Sequence, residues 1–193
     1  MQIGLDILSR MEAAVLKVRE RMVRAADALE AAGIPHAIAG GNPVAAWVAT
    51  VDEAAVRNTR DVDIVLRRED LPAAKAALEG VGFAYRHTAG VDMFLDGSGA
   101  SARDAVHVLF AGEKVRPDAP CAVPPLGKTR LGEGLWVLPL ADLTRVELAS
   151  NRIKNGMHLR DLIDVGLLGE ADAAALEPPR RERLLELLAD PDG

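Results

Sequence analysis

Between residues 8 and 29 apolar side chains recur three and four positions apart, at Leu8, Met11, Val15, Val18, Met22, Ala25 and Leu29, with charged residues between them. That spacing draws one stripe along a helix. Gly33 ends the helix and Pro35 keeps it from resuming. The stripe fits two arrangements: packing on its own domain, or pairing with a second copy as a coiled coil, which would make a homodimer through the N-terminal helix. The period then changes. "HAIAGG" reads as a short strand running into a turn, and "NPVAAWVA" as a helix start with Asn42 at the N-cap and Pro43 in the first turn. "VDEAAVRNTR" is a connection and "DVDIVLR" a strand. Residues 69 to 81 form a helix with an acidic start that stops at Gly80 or Gly82. "FAYRH", "VDMFL" and "AVHVLF" are further strands, with the Gly/Ser-rich "DGSGASARD" turning between the last two. From Gly112 to Leu131 the chain is loop-like, punctuated by Pro117, Pro120, Pro124 and Pro125. A short strand, "LWVLPL", follows. The remainder, "ADLTRVELASNRI", "HLRDLIDVGLL" and "RRERLLELLAD", is helical.

Strands and helices mixed in this order predict an α+β chain with a mixed sheet. Its parts are an N-terminal amphipathic helix over 1–33, an α/β core over 34–139 and a helical region over 140–193. Composition supports a packed core: 49% of the 193 residues are hydrophobic, mostly Ala, Val and Leu, and only 3% are aromatic. A formal net charge of −6 argues against a non-specific nucleic-acid binder, which carries a basic surface. Cys121 is the single cysteine, so an internal disulfide and a cysteine-based zinc cluster are excluded. The first 22 residues are charged throughout and lack a signal-peptide core, and no stretch reaches the ~20 apolar residues of a membrane span. The expectation is a cytoplasmic protein with no membrane partner.

Two features carry chemistry. In a strand, residues two apart point the same way, so Asp61 and Asp63 share a face while Val62, Ile64 and Leu66 face the core. Two carboxylates on one face repel unless something positive lies between them, and a hard divalent cation serves. A solvent-facing pair at a strand end is the plain alternative. Gly40 and Gly41 stand between a strand and a helix whose first amides lack partners, a natural phosphate seat. A tight turn is the plain reading of the glycines. Together the two features make halves of a nucleoside triphosphate site: amides for phosphates, carboxylates for the Mg²⁺ that bridges them.

The segment "AGGNPVAAW…RNTRDVDIVL" resembles the signature of the polymerase-beta-like nucleotidyltransferase superfamily, a Gly-Gly turn followed by an acidic-x-acidic strand. Arg57 and Thr59 in "RNT" match the Arg-x-Thr-x-Asp pattern of bacterial members, including abortive-infection (AbiEii-type) toxins. "ELASNRIKNGMHLRDLIDVGLL" is similar to that group's basic helical motif at Lys154, Arg160, Asp161 and Asp164. The resemblance covers about residues 34 to 168. It implies a nucleotidyltransferase fold and metal-dependent transfer of a nucleoside monophosphate from a nucleoside triphosphate to an acceptor, which could be RNA, a protein or a small molecule. It also implies a toxin's partnership with an antitoxin protein. On this resemblance Gly40, Gly41, Asn42 and Thr59 hold the triphosphate and Asp61 and Asp63 hold Mg²⁺ or Mn²⁺. Lys154 reaches toward phosphate as a point charge with help from Arg152. A solvated helix face is the plain reading of both basic residues.

Two departures stand out. Nineteen residues separate Gly41 from Asp61, a long gap in which "TVDEAAV" reads as an insertion. The third carboxylate of active members falls in "AVHVLF", where this chain has His107. Imidazole suits Mn²⁺ better than Mg²⁺, and could serve as general base toward an attacking hydroxyl. In a degenerate site it would be an ordinary strand residue. Asp104 has the wrong parity unless a bulge intervenes, and Asp92 on the neighbouring strand is another candidate. His36, His87 and His158 have no ligand spacing and read as structural or exposed. Cys121 has no evident partner. Glu113, Lys114 and Arg116 form a charged loop, solvated or facing an acceptor. Two functions remain in view: a metal-dependent nucleotidyltransferase, and a non-catalytic relative that binds a nucleotide or a partner.

Overall fold

The computed structural model describes residues 2–131, 134–150 and 152–190. Helix α1 (Gln2–Ala31) leads into β1 (Ala37–Ala39), α2 (Gly41–Ala49) and β2 (Val62–Leu66). Then come α3 (Leu71–Glu79), β3 (Ala84–Thr88), β4 (Val91–Leu95) and β5 (Ala105–Phe110). A hairpin of β6 (Thr129–Leu131) and β7 (Leu135–Val137) precedes α4 (Leu140–Leu148), α5 (Ile153–Asp164), α6 (Glu170–Ala174) and α7 (Arg180–Ala189). The strands form one mixed sheet in the order β3-β4-β5-β2-β1-β7-β6. β2 runs parallel to β5 and antiparallel to β1, so the sheet's centre is an α/β core as the pattern predicts.

Strand alternation divides the core in two. Val62, Ile64 and Leu66 of β2 join Val106, Val108 and Phe110 of β5 against the second half of α1 and against α3. On the other face Val65 joins Ala37, Ala39 and the apolar faces of α2, α4, α5 and α7. The sheet is covered on both sides, which is why "DVDIVL" loses its alternation after Asp63. The α1 stripe is used only in part. Val18, Ala25 and Leu29 are buried, whereas Leu8, Met11 and Val15 are 56%, 61% and 40% exposed. Among the described residues no helix is long and apolar enough to cross a membrane.

Local predictions fail where tertiary pairing decides the outcome. The Pro-rich loop ends in a strand, β6, because β7 pairs with it and in turn adds to β1. Lys128 and Arg130 lie over the Trp136 ring at 4.2 and 4.3 Å, a cation–π stack that supports so short a hairpin. The helix expected over 141–153 divides into α4 and α5, with Arg152 extended at the α5 N-cap (φ −75°, ψ 145°). No glycine or proline marks that break. It is set by contacts between α4 and α5, in which buried Glu147 takes hydrogen bonds from α5. Two further elements differ from expectation. α3 starts at Leu71, with the acidic residues before it in a 3₁₀ turn over Arg68–Asp70, and α6 is an additional short helix.

Candidate active site

β2 and β5 build the floor of the site. Their parallel register pairs Asp63 with His107 and Ile64 with Val108, so Asp63 and His107 share a face and the flanking valines face away. His107 Nδ1 lies 3.8 Å from Asp63 Oδ1. Asp61, one residue before β2, points into the same cleft, which has a volume of about 240 Å³ and is also lined by Arg152 and Lys154. The parity argument for Asp61 and Asp63 therefore holds, and His107 occupies the expected third place. The other two carboxylates considered for that place do not. Asp92 of β4 pairs with Val108 of β5, out of phase with the Met93–His107 pair, so its side chain stands on the opposite face of the sheet from His107, although it lines the cleft where that reaches Arg68 and Phe110. There it accepts hydrogen bonds from the Tyr85 hydroxyl and His87 Nδ1 (3.0 Å). Asp104 precedes β5 in a 3₁₀ turn and accepts from Ser101 and Arg21.

The glycines are there because both sides of the turn are occupied. Gly40 has φ 73° and ψ −152°, a region open essentially to glycine alone, and a Cβ there would collide with the Asp63 carboxylate. A Cβ on Gly41 would stand 2.8 Å from His158 Nε2 and 2.9 Å from Thr59 Cβ. The backbone at the start of α2 is thus pressed between a carboxylate of β2 and an imidazole of α5. Asn42 requires a correction. The N-cap is Gly40, and Asn42 lies inside the first turn. Its Nδ2 donates to the Asp61 carbonyl at 2.8 Å, which ties α2 to the residue that opens β2. Thr59 does lie at the turn, against Gly41.

Lys154, near the start of α5, donates to Asp61 Oδ2 at 2.8 Å. Burial pushes the Asp61 carboxyl up, but Lys154's hydrogen bond and charge, with the charges of His107 and Arg152, outweigh it and hold Asp61 below the usual range. Asp63 behaves oppositely. Burial raises it, the neighbouring Asp61 and Glu147 add to the rise, and Lys154 and His107 offset only part. Burial alone would depress the Lys154 ammonium, yet Asp63 and Asp61 raise it. The result is a stable Asp61–Lys154 pair beside a second carboxylate that lacks sufficient positive charge.

Sequence reasoning passed over Glu147 and Asn155 beneath this layer and read His158 as structural or exposed. His158 Nδ1 lies 3.0 Å from Glu147 Oε2, and Asn155 Nδ2 donates to the same oxygen at 2.6 Å. Glu147 is 1% exposed, flanked in α4 by buried Val146 and Leu148. A carboxylate at a core position was the available signal, since such a group is costly to bury without a partner. Arg57 reaches Asp161 of α5 at 2.9 Å, linking "RNT" to the C-terminal motif. Arg160 instead pairs with Asp190, away from the cleft. His36 is buried against the Ile34 carbonyl at 3.0 Å.

Among the described residues no group of three or more His, Cys, Asp or Glu is arranged to hold a metal by itself. Asp61 and Asp63 fit a cation that brings most of its ligands with it, as Mg²⁺ does when one or two carboxylates hold it with waters and substrate phosphates.

No protein-family model matches the chain, and no curated protein matches it. It is similar to the solution structure of the antibiotic-resistance factor ANT(2'')-Ia, at 12% identity and TM-score 0.48 over 89% of this chain and 90% of that one. A crystal structure of ANT(2'')-Ia with adenylyl-2''-tobramycin matches at 14% identity and TM-score 0.49, over 84% and 94%. An H. pylori protein assigned as a nucleotidyltransferase matches at 12% and 0.44, over 92% of each chain. At such identities and scores these likenesses decide the role of no residue here.

Proposed function

We propose that the cleft binds a nucleoside triphosphate with a divalent cation and transfers the nucleoside monophosphate to an acceptor hydroxyl. The observation that carries this reading is the contact between Gly40 and Asp63, which sets the open amides of α2 directly beside the carboxylate face of β2. Phosphate at the amides is favoured by the helix dipole and by the absence of side chains. Asp61 and Asp63 would hold a Mg²⁺ or Mn²⁺, which would supply positive charge against the charge that builds on the phosphates in transfer. Lys154 and Arg152 add positive charge from the far wall. In the transfer the acceptor oxygen bonds to the α-phosphorus, pyrophosphate leaves, and His107 is placed to take the acceptor proton.

Incubation with each labelled nucleoside triphosphate, Mg²⁺ or Mn²⁺, and a cell extract tests the proposal. Label appearing on RNA, protein or a small molecule, and lost in Asp63→Asn, supports it and identifies the acceptor class. Nucleotide binding without any transfer supports a second reading favoured by His107 at the third acidic position: a nucleotide-binding module without turnover. The absence of both binding and transfer overturns both readings. A toxin role, suggested by the sequence resemblance, predicts that expression arrests growth and that Asp63→Asn relieves the arrest.

A further inference from the structure

We propose that His158 contacts the phosphates of the bound nucleotide through Nε2, and that Glu147 is the positioning residue that aims it. The inference rests on the nucleotide-binding reading of the cleft and assigns it a residue on the opposite side of the glycine turn from Asp63. His158 is the nearest side-chain group to Gly41, its Nε2 lying 2.8 Å from where a Cβ would stand. It also lines both hollows that flank the turn, one shared with Gly40 and Asp63, the other with Thr59 and Arg57. The ring's other nitrogen is committed: Nδ1 is held by Glu147 Oε2 at 3.0 Å. An imidazole so held has a fixed orientation, with Nε2 left to face the turn. Nε2 has no hydrogen-bond partner among the described residues.

A space-filling role for His158 does not account for Glu147. A carboxylate 1% exposed within α4 is costly to desolvate unless it is matched by charge and hydrogen bonds. The groups that match it are Asn155 and His158, both from α5. With Nδ1–H on Glu147, the ring donates to a phosphate oxygen when it carries its second proton, at Nε2, beside the first turn of α2. Asn155 takes part in the same arrangement. It is 8% exposed, lines the hollow beside Gly40 and Asp63, and gives its Nδ2 to Glu147. Its Oδ1 is buried without a partner, a place where an ordered water belongs.

The test is a set of dissociation constants for Mg²⁺–nucleoside triphosphate and for the matching nucleoside, measured on the full chain. His158→Ala should weaken the triphosphate about tenfold, the size of a charge-assisted hydrogen bond, and leave the nucleoside unchanged. His158→Gln, which keeps an N–H near the Nε2 position, should recover part of the loss. Glu147→Gln should weaken the triphosphate selectively through misorientation of the ring. Equal loss for triphosphate and nucleoside in His158→Ala would show a merely structural role and overturn the inference. Unchanged binding of both in His158→Ala, with wild type binding well, overturns it while sparing the nucleotide site. Wild type binding neither ligand overturns the proposed function itself.

Discussion

The imidazole of His107 lies 3.8 Å from the carboxylate of Asp63, at paired positions of two parallel strands. The position that the sequence resemblance assigns to a third acidic ligand thus shares a face with Asp63, and it holds an imidazole. His107→Asp should lower the thermal stability of the ligand-free protein, because three carboxylates then share one cleft. It should raise Mg²⁺ affinity, read as a larger rise in melting temperature per added Mg²⁺ than wild type gives. His107→Ala should show neither change. Equal Mg²⁺ responses in all three proteins would remove the cleft as the metal site.

Lys154→Met tests the opposite wall. Both members of the Asp61–Lys154 pair are more than a third exposed, so its loss should cost stability no more than about 1 kcal/mol by denaturant titration. Affinity for a metal–nucleotide complex should fall at least tenfold, the order expected for one lost charge-assisted contact to phosphate. A large stability loss with unchanged affinity would make Lys154 a structural residue.

Gly40 and Gly33 both have positive φ, 73° and 68°, but their surroundings differ. Nothing lies within 4 Å of a Cβ on Gly33, whereas one on Gly40 meets Asp63. Gly33→Ala should cost about 1 kcal/mol, from backbone conformation alone. Gly40→Ala should cost about 3 kcal/mol or more, because it adds displacement of Asp63 to a conformation essentially reserved for glycine. Paired denaturation curves check the difference.

On the far face, Tyr85 gives an alkaline signature. Burial first, then its hydrogen bond and proximity to Asp92, push the Tyr85 hydroxyl from 10.0 up to about 12. Between those values the folded chain holds a proton that the unfolded chain has released, so stability falls as pH rises through that window. Below it the two states carry the same proton and the group adds no slope. Tyr85→Phe should flatten this part of the stability–pH curve. An unaltered slope would assign it elsewhere.

How much was legible in the sequence follows from the range of the forces involved. β4 and β5 were readable to the residue because their boundaries are local: a turn at Ala89–Gly90, a Gly/Ser stretch, and short, mostly apolar runs beside them. Parity, a property of any strand, sufficed to place Asp61 and Asp63 on one face, whereas His107 came from the resemblance and its shared face from the β2–β5 register. Asn42 misled because a capping residue followed by proline is a sound local pattern, yet the steric need for glycine beside Asp63 moved the cap two residues earlier. His158 was unreadable because its meaning depends on Glu147, eleven residues back across a break between helices that no local residue announces.

Asp61 finds its cation 93 residues further along the chain. At roughly 5 to 20 residues per second on the ribosome, that interval lasts about 5 to 20 seconds. During it the emerging sheet displays two carboxylates with neither Lys154 nor the α5 imidazole yet made. Until α5 is made, Asp61 lacks the ammonium that holds it in the full chain. Order of synthesis thus acts as a timer: the site proposed here for a polyphosphate is complete only once α5 has been made.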